Sequence, residues 1–77
     1  MPPMKRFGEK LRALRESHGL SYSQLAAQLG YHRGYLSNVE LGNRIPSVEF
    51  VLQIAEHFDV SLDDLMRDER ELRLKKR

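Results

Sequence analysis

The side chains with the most chemistry to offer are three histidines, His18, His32 and His57, and the adjacent carboxylates Asp63 and Asp64. The histidines are widely spaced and form no metal-ligand pattern such as His-Glu-x-x-His. Asp63-Asp64 would suit acid–base or calcium chemistry, but the glycine and terminal glutamate spacing of an EF-hand loop is missing. Ser61 just before the pair marks a helix start, where acidic residues answer the helix dipole. No glycine-rich phosphate loop is present. The chain has no Cys, which excludes disulfides, thiolate metal sites and Cys nucleophiles. With 77 residues it also has little room for a closed substrate pocket. The expectation is a protein that is not an enzyme, with no metal and no cofactor.

What remains is binding chemistry, and charge shows where it concentrates. Residues 1–20 carry five Lys/Arg against two Glu, a net +3, and residues 21–46 add +1. Residues 47–66 hold Glu49, Glu56, Asp59, Asp63 and Asp64 with no Lys or Arg, a net −5, and the tail 67–77 returns to +3. Such polarisation suits orientation on a polyanion; a solvated mixed-charge surface explains it equally well. The longest apolar runs are three residues, Leu25-Ala26-Ala27 and Phe50-Val51-Leu52, far short of a membrane span. No apolar segment of signal-peptide type follows Met1–Arg6. A soluble cytoplasmic protein is the expectation.

The elements that position these side chains read as five short helices. Phe7, Leu11 and Leu14 fall at i, i+4 and i+7, and Gly19 stops that helix near His18. Ser21 and Gln24 have capping-box spacing, Leu25, Ala26 and Leu29 form the apolar face of the second helix, and Gly30 ends it. A third helix spans about 33–41 and stops at Gly42. Pro46 forces its predecessor into an extended conformation, and Ser47 caps a fourth helix that closes near Phe58. Ser61 opens the fifth, with Leu62 and Leu65 facing inward. On the third helix, at about 100° per residue, Leu36 and Val39 share one side. Gly34, Ser37, Asn38 and Leu41 gather on the other, with Arg33 at their margin. The segment 67–77 allows Glu69–Arg73 and Glu71–Lys75 pairs, and either extends the fifth helix or frays.

The segment LSYSQLAAQLGYHRGYLSNVELGNRIPS, residues 20–47, resembles the helix-turn-helix of the Cro/phage-repressor (Xre-like) family. Ala26 matches the small residue where the two helices touch, Gly30 the turn glycine, and Leu36 and Val39 the buried positions of the second helix. Ser37, Glu40, Gly42, Pro46 and Ser47 also match, and the likeness runs on through Phe58, Val60, Ser61 and Leu65. The resemblance implies an all-α, five-helix, lambda-repressor-like DNA-binding domain over 7–66, with its motif at 22–41, an N-terminal arm at 1–6 and a charged tail at 67–77. It further implies a bacterial or phage transcriptional regulator, a repressor first, that reads a double-stranded DNA operator through the major groove as a homodimer.

The small, polar outer face of helix 33–41 fits that use. Arg33 can donate two bonds to guanine O6 and N7, and Asn38 can pair with adenine N6 and N7. Ser37 completes the base-reading set with His32 and Gly34, both departures from the family pattern. His32 stands at the usual Ser/Thr cap position, and Gly34 where relatives place a base-reading side chain. Tyr22 replaces a family Gln that bonds phosphate and braces the reading helix. Tyr35 packs at the core edge, where its hydroxyl can reach phosphate. Asn43 and Arg44 match family positions that contact the backbone. The family pairs the Glu at position 40 with an Arg of the first helix, here Arg15.

Assembly is expected from the fourth helix. Val48, Val51, Leu52 and Ala55 read as its core stripe, which leaves Phe50, flanked by Ile54 and Phe58, on an apolar edge in need of cover. A second subunit contacting Phe50 and Ile54 is the favoured cover, ahead of the 1–4 arm or Leu72 and Leu74 of the tail. A toxin or polymerase is a further possible partner. The rival class is a protein-interaction module with the helix-turn-helix face unused, a reading kept open by Tyr22, Gly34 and the acidic stretch 47–66.

Overall fold

Serine hydroxyls start three of the helices. In the computed structural model, which describes residues 5–72, the Oγ of Ser21, Ser47 and Ser61 accepts the backbone N–H of Gln24, Phe50 and Asp64 respectively. The Gln24 side chain returns a bond from the Ser21 N–H at 2.8 Å, completing the capping box. The elements are α1 (Phe7–Ser17), α2 (Tyr22–Leu29), α3 (Arg33–Glu40), α4 (Val48–Phe58) and α5 (Leu62–Met66), with no strand among the described residues. Gly30, at φ 80°, supplies the left-handed residue that ends α2. The Tyr31 N–H then closes back on the Ala26 carbonyl at 2.9 Å, turning the chain directly into α3.

One apolar cluster holds the helices together. Phe7, Leu11 and Leu14 of α1, Leu25 and Ala26 of α2, and Leu36 and Val39 of α3 meet α4 and Leu65 of α5. The α3 helix packs on α2 and α1, while α5 packs on α4 and α1. At the centre Phe50 meets Tyr31 and Tyr35 edge-on, each at 5.0 Å between ring centroids, and Phe7 at 6.4 Å.

That centre corrects the reading of α4. Phe50 and Ile54 are fully buried, and Phe58 nearly so, together with Val51 and Ala55. Val48 is 78% exposed and Leu52 40%. Both phases of the helix share Val51 and Ala55, and the phase with the larger side chains wins because it removes more apolar area from water. Phe50 and Ile54 are therefore core residues, inaccessible to a second subunit. Leu62, also 40% exposed, does not face inward as expected; Leu65 does.

The α5 helix ends at Met66, and residues 67–72 continue through turns rather than as a helix. Lys10, buried on the core side of α1, donates its Nζ to the carbonyls of Asp64 and Arg67. In return the Asp68 carboxylate accepts the N–H groups of Lys5 and Arg6, at 3.1 and 2.8 Å, at the start of α1. Arg6 also bonds the Asp68 carbonyl and the Glu71 carboxylate. The ends of α1 and α5 thus exchange contacts: Lys10 caps the last carbonyls of α5, and Asp68, just past α5, holds the two residues that precede α1. The partner residues expected for Glu69 and Glu71, Arg73 and Lys75, lie outside the described residues, as do Leu74 and the 1–4 arm. Among the described residues Glu71 pairs with Arg6, and Glu69 with Arg67.

Candidate nucleic-acid interface

The α3 helix buries Leu36 and Val39 and turns its other side to solvent. His32, Arg33, Gly34 and Asn38 are exposed, and Ser37 is half-buried. Among the described residues the Arg33 guanidinium and the Asn38 amide have no intramolecular hydrogen-bond or charge partner, so their donors and acceptors face water. The Ser37 hydroxyl donates to the Gly34 carbonyl at 3.1 Å, which leaves its oxygen as an acceptor. His32 takes the extended backbone of an N-cap but makes no side-chain cap bond. Its ring is free, and the first N–H groups of α3 are left without a side-chain cap from it. Leu41, the residue after α3, is exposed at the end of this face.

Two contacts fix α3 in place. Arg15 of α1 makes a bidentate pair with Glu40, Nε to Oε2 at 2.8 Å and Nη2 to Oε1 at 3.2 Å, and also donates to the Leu20 carbonyl. The side chains are 11% and 1% exposed, so the pair lies inside the protein rather than on its surface. The hydrogen bonds to Glu40 raise the Arg15 guanidinium above its ordinary range, outweighing desolvation. The Tyr22 ring lies 4.3 Å from the same guanidinium. Its face braces the pair through a cation–π contact, so the bracing that the family pattern gives to a Gln amide is supplied here by an aromatic ring.

The second contact sits at the loop after α3. The Tyr35 hydroxyl accepts the Ser47 N–H at 3.2 Å, and the Arg44 guanidinium lies 5.2 Å from the Tyr35 ring. The Tyr35 hydroxyl proton remains available as a donor. Tyr35 also stacks on Tyr31, whose hydroxyl donates to Gln53 of α4 at 2.9 Å. The loop that carries Asn43 and Arg44 is thereby tied to the core. Asn43 is exposed, and its N–H bonds the Asn38 carbonyl at 2.8 Å. The structure thus brings Tyr35, Arg44 and Ser47 together beside α3, and places Tyr22 with Arg15 and Glu40. The aromatic ties through Tyr31, Gln53 and Ser47 were missed from the sequence; the three tyrosines flanking one short motif were the signal.

A family model described as helix-turn-helix matches residues 11–65. The chain belongs to this Xre-like helix-turn-helix family. Among solved structures, the restriction-modification controller protein C.AhdI from Aeromonas hydrophila is 36% identical with a TM-score of 0.72, covering 82% of this chain and 96% of that one. SinR, a master regulator for biofilm formation solved in complex with DNA, is 32% identical with a TM-score of 0.69, over 77% of this chain and 95% of that one. The HTH-type transcriptional repressor RghR of Bacillus subtilis is 38% identical over 64 residues, 82% of this chain and 47% of that protein. This helix-turn-helix chain spans only part of its longer relatives; a Pyrococcus horikoshii protein, 46% identical over 55 residues, is covered over 18% of its length. The family is one of regulators, not of enzymes. No helix among the described residues is long and apolar enough to cross a membrane.

Proposed function

We propose that this chain is the DNA-reading unit of a transcriptional regulator, specific for a double-stranded operator, with α3 lying in the major groove. The observation that carries this is the exposed, polar face of α3, where Arg33 and Asn38 have no partner among the described residues, held from behind by the buried Arg15–Glu40 pair. In this reading Arg33 contacts guanine and Asn38 adenine. His32 and Ser37 add polar contacts at the groove, and Gly34 lets the helix backbone approach it closely. Tyr22, Tyr35, Asn43 and Arg44 bond phosphates, which set register and affinity rather than sequence. The likeness to the repressor RghR and to SinR, solved in complex with DNA, supports the assignment. Occupying a promoter is enough for repression, so lower transcription from a promoter carrying the selected site is the expected outcome in cells.

The regulator acts as a homodimer in this proposal, because one short helix reads few base pairs and a two-fold dimer reads two half-sites about 34 Å apart. Its contact surface is the exposed apolar strip of Ile45, Val48, Leu52 and Leu62, not Phe50 and Ile54. Ile45 lies in the loop between α3 and α4, and Val48 opens α4. A second copy supplies the same strip, as a two-fold contact requires.

Selection of bound duplexes from a random pool, with binding measured at two salt concentrations, tests the function. A recovered consensus with two related half-sites, and affinity that falls steeply as salt rises, are expected. Recovery of no preferred sequence, or affinity indifferent to salt, would overturn it.

A further inference from the structure

We propose that Gly8 is a positioning residue for DNA reading: it sets how deeply the last turn of α3 settles against α1. The inference rests on α3 being the reading helix. A Cβ built on Gly8 would lie 2.5 Å from the Glu40 carbonyl oxygen, 2.7 Å from the Val39 oxygen and 3.0 Å from the Glu40 carbonyl carbon. All three are backbone atoms, which cannot swing aside as the end of a flexible side chain can. Real Cβ atoms essentially never approach within 3.0 Å of such neighbours, so a methyl here must drive the two helices apart.

Glycine is a poor helix former, yet it occupies the second position of α1. Its use there is the close approach. Without a side chain, a Gly8 Cα–H can point at the carbonyls of Glu40 and of Val39, which lie in the last turn of α3; the Val39 oxygen also accepts the Gly42 N–H. Arg15 lies seven residues, two helical turns, further along α1 and holds the Glu40 carboxylate. Glu40 is thus gripped at its main chain by Gly8 and at its side chain by Arg15. The first contact sets depth; the second sets rotation.

When a methyl separates the helices, α3 is the one that moves. The α1 helix is anchored by buried Phe7, Lys10, Leu11 and Leu14, and by the exchange of contacts with the end of α5 through Lys10 and Asp68. The α3 helix has eight residues and is held by buried Leu36 and Val39 and by the buried Glu40 side chain, fewer anchors than α1 has. Displacement of its Glu40 end tilts the Arg33 end, and site geometry of this kind tolerates only about 0.5 Å.

The experiment compares Gly8→Ala with wild type on the sequence recovered from the random pool and on random-sequence duplex, at one salt concentration. Ala13→Gly, an exposed change on the same helix, controls for helix propensity. Gly8→Ala is expected to fold cooperatively, to bind random duplex within about twofold of wild type, and to lose at least about tenfold on the selected site. Asn38→Ala should cost less in the Gly8→Ala background than alone, because the displaced helix has already lost that contact. Equal affinity of Gly8→Ala and wild type for the selected site would overturn the proposal while leaving DNA reading intact. So would a Gly8→Ala chain that does not fold, since Gly8 would then be a requirement of the fold and not of reading. A wild type without any preferred sequence would instead overturn the function on which the proposal rests.

Discussion

Arg33 and Asn38 stand free in water, so truncating either leaves the folded chain unstrained and removes only what it gives to a partner. Asn38→Ala and Arg33→Ala should each cost about 1–3 kcal/mol on the selected duplex and relax base choice at one position. Arg44→Ala should weaken all sequences alike and flatten the dependence of log affinity on log salt by roughly one unit. Fluorescence anisotropy across a salt series separates the two behaviours. The Arg15–Glu40 pair follows a different rule, because its charges are buried. Glu40→Ala strands the guanidinium and should cost about 3–5 kcal/mol in chemical denaturation; a loss below about 1 kcal/mol would mark an exposed pair. This pair was legible only through the family resemblance, since nothing in a separation of 25 residues joins Arg15 to Glu40. The reading face of α3 was legible from helical periodicity alone. Gly8 was not singled out, although a glycine inside a helical pattern weakens the helix and so asks for a packing or functional reason.

Helices show where local signals suffice and where packing decides. The caps at Ser21, Ser47 and Ser61 were legible because a hydroxyl three residues before a free N–H is a local arrangement. The inward face of α4 was not, because two apolar phases overlap on it, and the choice is made by aromatic partners on other elements, Phe7, Tyr31 and Tyr35. The α1–α5 exchange of contacts was likewise out of reach, though Lys10 sits three residues after Phe7 on the core stripe and is the polar exception there. Lys10→Met keeps the buried stem but strands the carbonyls of Asp64 and Arg67, and should cost about 1–3 kcal/mol in a urea titration. The outer part of this clasp responds to acid. Hydrogen bonding to Arg6 lowers the Glu71 carboxyl below its ordinary 4.5. A depressed carboxylate stabilises the folded state above its unfolded value, and that stability is lost as pH falls through the lower folded one. Wild type should therefore lose more stability than Glu71→Gln on acidification below about pH 4.5, measured as the difference between their denaturation midpoints.

At the scale of the molecule, the chain is acidic along 47–66 and basic on either side of that stretch. The acidic stretch also carries three of the four residues of the uncovered apolar strip, and the fourth, Ile45, precedes it at 89% exposed. A surface with so large an exposed β-branched residue beside the reading helix is costly to leave in water, and a second copy can cover it. Four partly exposed side chains per copy make a small interface. The dimer should therefore form at tens of micromolar and be completed when two half-sites hold both copies. Val48→Asp tests this without touching the core. Sedimentation should show a monomer where wild type is a dimer, and the variant should keep the helical circular dichroism of wild type. It should bind a single half-site as wild type does but lose the gain from the second half-site, since the two reading helices are no longer linked. Phe50→Asp should instead unfold the chain, because it buries a charge among Phe7, Tyr31 and Tyr35. A wild type that sediments as a monomer both free and on a two-half-site duplex would remove the dimer. A Val48→Asp chain that still dimerises would move the contact off this strip.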